Sequence, residues 1–131
     1  IKKRVDLVLL AGDIFDGPWN DFATGLYFVK QLARLADHRI PVVLINGNHD
    51  AANKMRRSLR WPTNVTVLSV DAPETVRFEH LGISVHGQGF ARQSVTEDLS
   101  LGYPEADRGE FNIGLLHTAA EGRPGHEPYA P

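Results

Sequence analysis

The chain has 131 residues, 42% of them hydrophobic and 23% charged, with 14 basic against 16 acidic side chains for a formal net charge of −2. Those values exclude a disordered chain and a polycation, so any nucleic-acid contact must rest on a local patch. Cysteine is absent, which excludes a disulfide framework and a thiolate metal site and fits a reducing, cytoplasmic setting.

The first element is Val5–Leu10 (VDLVLL), a short apolar run that stops at Ala11-Gly12-Asp13. Short β-branched-rich runs bounded by glycine read as strands buried on both faces. A helical pattern follows from about Asp21 to Asp37, with Phe22, Leu26, Val29, Leu32, Ala33 and Leu35 near the helical period and Asn20 or Asp21 as N-cap. Pro41 ends the connection, and Val42–Ile45 reads as a second buried strand stopping at Asn46-Gly47. Strand, helix, strand makes a βαβ unit. Its right-handed crossover sets the strands parallel, so Asp13 and the Asn48-His49-Asp50 segment emerge on one sheet edge. In open α/β sheets that edge is where ligands bind.

Further along, Ala51–Arg60 reads as a short helix. Val65–Val70, Thr75–Glu79 and Ile83–His86 read as strands, with a hairpin step at Leu81-Gly82. Ser94-Val95-Thr96-Glu97 has the capping-box pattern of a helical turn. Phe111–Leu116 reads as another buried strand and runs into His117. No apolar run is long enough to span a bilayer, so no membrane partner is expected.

Three strands therefore end in side chains that bind hard or borderline metals: Asp13, Asn48-His49-Asp50 and His117. Carboxylate oxygen, amide oxygen and imidazole nitrogen together suit Mn, Fe, Zn or Mg. Taken singly, Gly-Asp and Asn-Gly-Asn are ordinary turn chemistry, and a lone histidine after a strand is commonly exposed or hydrogen-bonded. Turn chemistry does not account for three such endings together. Lys54, Arg56, Arg57 and Arg60 put four positive charges into seven residues after that segment. They read either as phosphate-backbone contacts or as a solvated helix face. Asp16-Gly17 reads as turn chemistry, and His38, His80, His86, Trp19 and Trp61 as packing or surface residues.

"LLAGDIFDG" (Leu9–Gly17), "GNHD" (Gly47–Asp50) and "GLLHT" (Gly114–Thr118) resemble consecutive motifs of the calcineurin-like metallophosphoesterases. "TGLYFVKQLARL", "SVHGQGFA", "TEDLSLGYP" and "NIGLLHTAAEGRPGHEPYAP" resemble the bacterial DNA-repair exonuclease branch of that superfamily, of the YhaO and SbcD type. The resemblance implies an α/β fold, a sandwich of two mixed β-sheets flanked by helices. It implies two divalent metal ions, manganese foremost, with Mg2+, Fe2+ and Zn2+ as alternatives. By matching position, Asp13 would bridge the two metals, while Asn48 and His117 would ligate the second. His49 would face the scissile phosphate, and Asp50 would orient His49. DNA would be the substrate, and a homodimer and a coiled-coil SMC-like ATPase are the implied partners.

The family's D-x-H motif on its first strand and its closing G-H-x-H motif have no counterpart in the sequence; Gly125-His126-Glu127-Pro128 is G-H-x-P. Residues 1–131 are therefore expected to be the middle part of a metallophosphoesterase catalytic domain, inactive or nearly so by itself. Two other functions stay open. One is the same chemistry on a nucleotide or other small phosphoester. The other is a non-catalytic binding or assembly module with an incomplete metal site.

Overall fold

The computed structural model describes residues 4–14, 23–52 and 59–119. Among these residues six strands form two three-stranded sheets. The first holds β1 (Val8–Leu10), β2 (Val42–Leu44) and β3 (Val65–Val67) in the order β1-β2-β3, all parallel. The second holds β4 (Glu74–Phe78), β5 (Ile83–Gly87) and β6 (Phe111–Leu115), with β4 antiparallel and β6 parallel to β5. This is the α/β two-sheet architecture expected from the sequence. Among the described residues no helix is long and apolar enough to cross a membrane.

Alternation along the strands decides which face meets which layer. Val43, Ile45, Leu68, Val85 and Leu115 form the buried core between the sheets, with Leu7, Leu9, Val76, Phe78, Ile83 and Ile113 packed around them. The other face of the first sheet meets α1 (Ala23–Asp37): Val8 and Leu10 line an open apolar groove with Phe28, Leu32 and Leu35. The central strands are covered on both sides: Val42 to Ile45 are wholly buried in the first sheet, and Ser84 to Gly87 are buried in the second. β1 and β6 are only partly buried, less than the sequence suggested, because each stands at the edge of its sheet.

The helix differs from its expected face. Gly25, Phe28, Leu32 and Leu35 make the inward stripe, whereas Leu26 is 60% and Tyr27 66% exposed. Leu26 lies one residue, about 100° of helical rotation, away from that stripe, so it points off the sheet. Trp61 packs edge-on to Phe28, a structural use of that ring. The helix ends in a Schellman motif: Arg39 N–H donates to the Ala36 carbonyl and Ile40 N–H to the Leu35 carbonyl, with Arg39 in the left-handed region at φ 57°.

Two local expectations are corrected. The second helix, α2, spans Asn48–Ala52 and so begins within the polar motif rather than after it. Residues 53–58, with Lys54, Arg56 and Arg57, lie outside the described residues, as do Asp16, Gly17, Trp19, His126 and the helix-entry residues Asn20 and Asp21. The Ser94-Val95-Thr96-Glu97 pattern opens no helix. A 3₁₀ turn forms at Leu99–Gly102, where Asp98 is the N-cap and its Oδ1 accepts from Ser100 N–H at 2.9 Å. The Glu97 carboxylate turns instead to Arg92 and the Thr96 amide, so the reciprocal bond that a capping box needs is absent. The step between β4 and β5 is a 3₁₀ turn, Glu79–Leu81, closed by Gly82 at φ 64°.

Candidate metal centre

The carboxyl ends of β1, β2 and β6 meet at one side of the sandwich. β1 runs out into Gly12 at φ 86° and Asp13 at φ 49°, two successive left-handed residues that turn the Asp13 carboxylate back over the sheet end. A non-glycine residue in that region is strained, and aspartate tolerates it better than most residue types. Gly12 and Gly47 stack backbone to backbone. A Cβ on Gly47 would lie 2.2 Å from Asp13 Oδ1, and one on Gly12 would lie 2.6 Å from the Gly47 nitrogen and 3.0 Å from His117 Nδ1. Both positions therefore exclude any side chain, which lets Asp13, Asn48 and His117 crowd together.

Each oxygen of Asp13 has a separate neighbour. Oδ1 accepts from the His49 backbone N–H at 3.2 Å, and Oδ2 lies 3.5 Å from His117 Nε2. The fully buried Asn48 brings its Oδ1 to 3.1 Å from the same Nε2. The other ring nitrogen of His117, Nδ1, lies 2.9 Å from the Ala11 carbonyl oxygen. A carbonyl only accepts, so Nδ1 carries the hydrogen and Nε2 turns toward two oxygen acceptors. Phe90, itself buried, meets the imidazole edge-on with ring centroids 5.3 Å apart.

This donor set fits a divalent cation. Nε2, an amide oxygen and a carboxylate oxygen converge, and a second bond on the far nitrogen fixes the tautomer, as in histidine metal sites generally. Ligands bonded at about 2.1 Å stand about 3.0 Å apart in an octahedral arrangement and about 3.4 Å apart in a tetrahedral one. The separation of 3.1 Å falls in that range, and that of 3.5 Å lies just above it. Among the described residues no three His, Cys, Asp or Glu side chains cluster, and the amide of Asn48 is what completes the group.

His49 is half-buried, in the first turn of α2. Asp50 is 2% exposed, and its Oδ2 accepts from Gly47 N–H at 3.0 Å and Ile14 N–H at 3.4 Å. It thereby ties the loop after β2 to the loop after β1. Its Oδ1 is buried without a hydrogen-bond partner among the described residues. Of the basic residues, Arg60 is exposed.

Nothing in the sequence pattern gives Phe90 a site role. It lies in Gln88-Gly89-Phe90, which crosses from the second sheet to the first: Gly89 N–H donates to Ser69 O, and Phe90 N–H to Asn46 O. In the structure burial continues past the end of β5 as far as Phe90.

The family described as calcineurin-like phosphoesterase (Metallophos) matches residues 1–124. The chain belongs to that family. A relative from Bacillus subtilis (strain 168), described as the uncharacterized metallophosphoesterase YhaO, is 34% identical over 134 residues. The alignment covers 100% of this chain and 33% of that protein, so the chain spans about a third of that relative's length. No solved structure matches the chain. The converging donors lie within the matched residues.

Proposed function

We propose that the full-length protein hydrolyses DNA phosphodiesters as a metal-dependent exonuclease of the repair type, in the cytoplasm. The observation that carries the hydrolytic half is the convergence of Asp13 Oδ2, Asn48 Oδ1 and His117 Nε2. The DNA half rests on the segments that resemble the repair-exonuclease branch and on the four basic residues Lys54, Arg56, Arg57 and Arg60. In this reading the site would take two divalent cations, manganese foremost, which when bound would supply an activated water and charge compensation for the phosphoryl group. Asp13, Asn48 and His117 would hold one of them, and Asp13 would serve the other as well.

The remaining roles belong to the chain itself. Nδ1–H of His117 bonded to Ala11 keeps Nε2 available as a ligand. His49, whose amide holds Asp13 Oδ1, presents its ring to the scissile phosphate and assists departure of the leaving oxygen. Asp50 keeps His49 and Asp13 in step by pinning the two loops that carry them. The basic residues contact backbone phosphates. The 131 residues alone, with only part of the cage, are inactive or nearly so. A homodimer and a coiled-coil SMC-like ATPase are the proposed partners.

The test offers the full-length protein single-stranded DNA, duplex DNA and a small phosphodiester in competition, with Mn2+. Preferential loss of DNA ends, reduced at least about 100-fold by Asp13→Asn, is the expected result. Hydrolysis of the small phosphodiester alone would replace DNA by a nucleotide-like substrate. That alternative has its own support, because Asp13, Asn48 and His117 serve the phosphoryl group common to both. Mn2+ binding with no hydrolysis of any substrate would leave a binding or assembly module.

A further inference from the structure

His117 follows the end of β6 by two residues, and Phe90 follows the end of β5 by three. The two strands are parallel neighbours whose last paired residues are Gly87 and Leu115. Beyond that pair they part, and the phenol of Tyr103 stands in the fork. Its hydroxyl accepts from Gln88 N–H at 3.0 Å and donates to the Leu115 carbonyl at 2.7 Å. Its ring lies over Gly114, whose missing Cβ would stand 4.0 Å from the ring edge. Downstream of this bridge Phe90 and His117 meet edge to face, at 87°.

We propose that Tyr103 is a positioning residue for His117, setting the distance between the two strand exits so that Phe90 fixes the plane of the imidazole. The inference rests on the reading of His117 as a metal ligand. Three features single out Tyr103. It belongs to the irregular segment between β5 and β6, outside every motif that carries donors to the site. Its hydroxyl is used twice, as acceptor and as donor, and burial holds the phenol above its ordinary pKa, so the donating proton stays in place at neutral pH. The strand exit on the Phe90 side is itself anchored to the first sheet, through Gln88 Nε2 to Val70 O at 3.2 Å, Gly89 to Ser69 and Phe90 to Asn46. With one exit fixed, the hydroxyl bridge settles where the other goes. An edge-to-face ring contact then holds an imidazole that a hydrogen bond to Ala11 alone would let rock about that bond.

The experiment measures Mn2+ affinity of the full-length protein by calorimetry for wild type, Tyr103→Phe, Phe90→Leu, His117→Ala and Tyr103→Phe combined with His117→Ala. Tyr103→Phe is expected to weaken binding about tenfold, and Phe90→Leu several-fold, as is usual for groups that orient a ligand. In the His117→Ala background Tyr103→Phe should cost less than about twofold more, because its effect passes through that imidazole. Nitrogen-15 shifts of the His117 ring in metal-free protein should move in both single variants. If Tyr103→Phe unfolds the protein, the Phe90→Leu affinity and ring shifts decide between the two outcomes instead. Wild-type affinity in the Tyr103→Phe and Phe90→Leu variants, or an equal loss with and without His117, overturns the proposal. Wild-type affinity in His117→Ala itself would instead overturn the ligand reading on which it stands.

Discussion

Two histidines of this chain sit in polar clusters of similar composition, and they are wired in opposite senses. On the outer face of the second sheet, Asn112 Nδ2 donates to the carbonyls of Asp107 and Glu110, so its Oδ1 must accept. His86 therefore carries its hydrogen on Nε2, 2.8 Å from that oxygen, and its Nδ1 is met by the Thr75 hydroxyl at 2.8 Å. Ser84 joins the Asp107 and Glu110 carboxylates, and Arg77 grips Asp107 with two nitrogens. Every nitrogen of His86 has a complementary partner. At the strand ends His117 carries its hydrogen on Nδ1, and its Nε2 faces Asn48 Oδ1 and Asp13 Oδ2. Two oxygens and a ring nitrogen gathered at one point are a donor set that suits a divalent cation. The same residue types thus make a closed structural knot in one place and the proposed cation seat in the other. Wiring, more than composition, separates them.

Exchanging the two histidines for alanine is the strongest way to break this contrast. His117→Ala should lower Mn2+ affinity at least about 100-fold while leaving metal-free stability within about 1 kcal/mol, because it removes the hydrogen bond to Ala11. His86→Ala should cost about 2–3 kcal/mol in urea unfolding and change Mn2+ affinity less than about twofold. If His86→Ala weakens metal binding as much as His117→Ala does, the contrast is wrong.

A pair of glycines sharpens it next. Gly47→Ala forces a methyl against the Asp13 carboxylate, and should cost about 1–3 kcal/mol together with most of the metal affinity. Gly82, at φ 64° on the far turn with nothing within 4 Å of a Cβ, should cost about 1 kcal/mol as alanine and leave metal binding alone. Equal metal affinities in the two variants would mean that Asp13 can retreat without penalty.

The smallest effect concerns acid. The Asp107 carboxyl is held below its ordinary pKa, first by the hydrogen bond from Arg77 and then by that from Ser84. A depressed folded pKa contributes stability above the unfolded value, and that contribution is lost as pH falls through the lower folded value. Wild-type stability should therefore drop below about pH 4, and Asp107→Asn should flatten that limb without altering Mn2+ affinity at neutral pH. Parallel acid limbs in the two proteins would show that Arg77 and Ser84 do not single out this carboxylate.

Much of the site is written locally. Val42 to Ile45 followed by Asn-Gly-Asn-His-Asp tells of a doubly buried strand ending in polar side chains, because full burial and polar termination both show in consecutive residues. The parallel βαβ crossover then brings Asp13 to the same edge with no further information. Features that depend on distant partners were not legible. Leu26 fits the helical period as well as Phe28 does, and only the position of β1 decides which of them is covered. Ser94 to Glu97 spells a capping box, yet Arg92 and the Thr96 amide claim the glutamate. Tyr103 and Phe90 reach their partners across the turn between two strands, through a side-chain oxygen and a ring edge. Neither contact leaves any periodic trace in the chain.

Asp13 and Asn48 hang from the first sheet, whereas His117 hangs from the second. A cation gripped by all three would act as a rivet through the sandwich, resisting any shear of one sheet over the other. Its grip would be complete only after the sheets have docked in register, so metal affinity would double as a gauge of correct assembly.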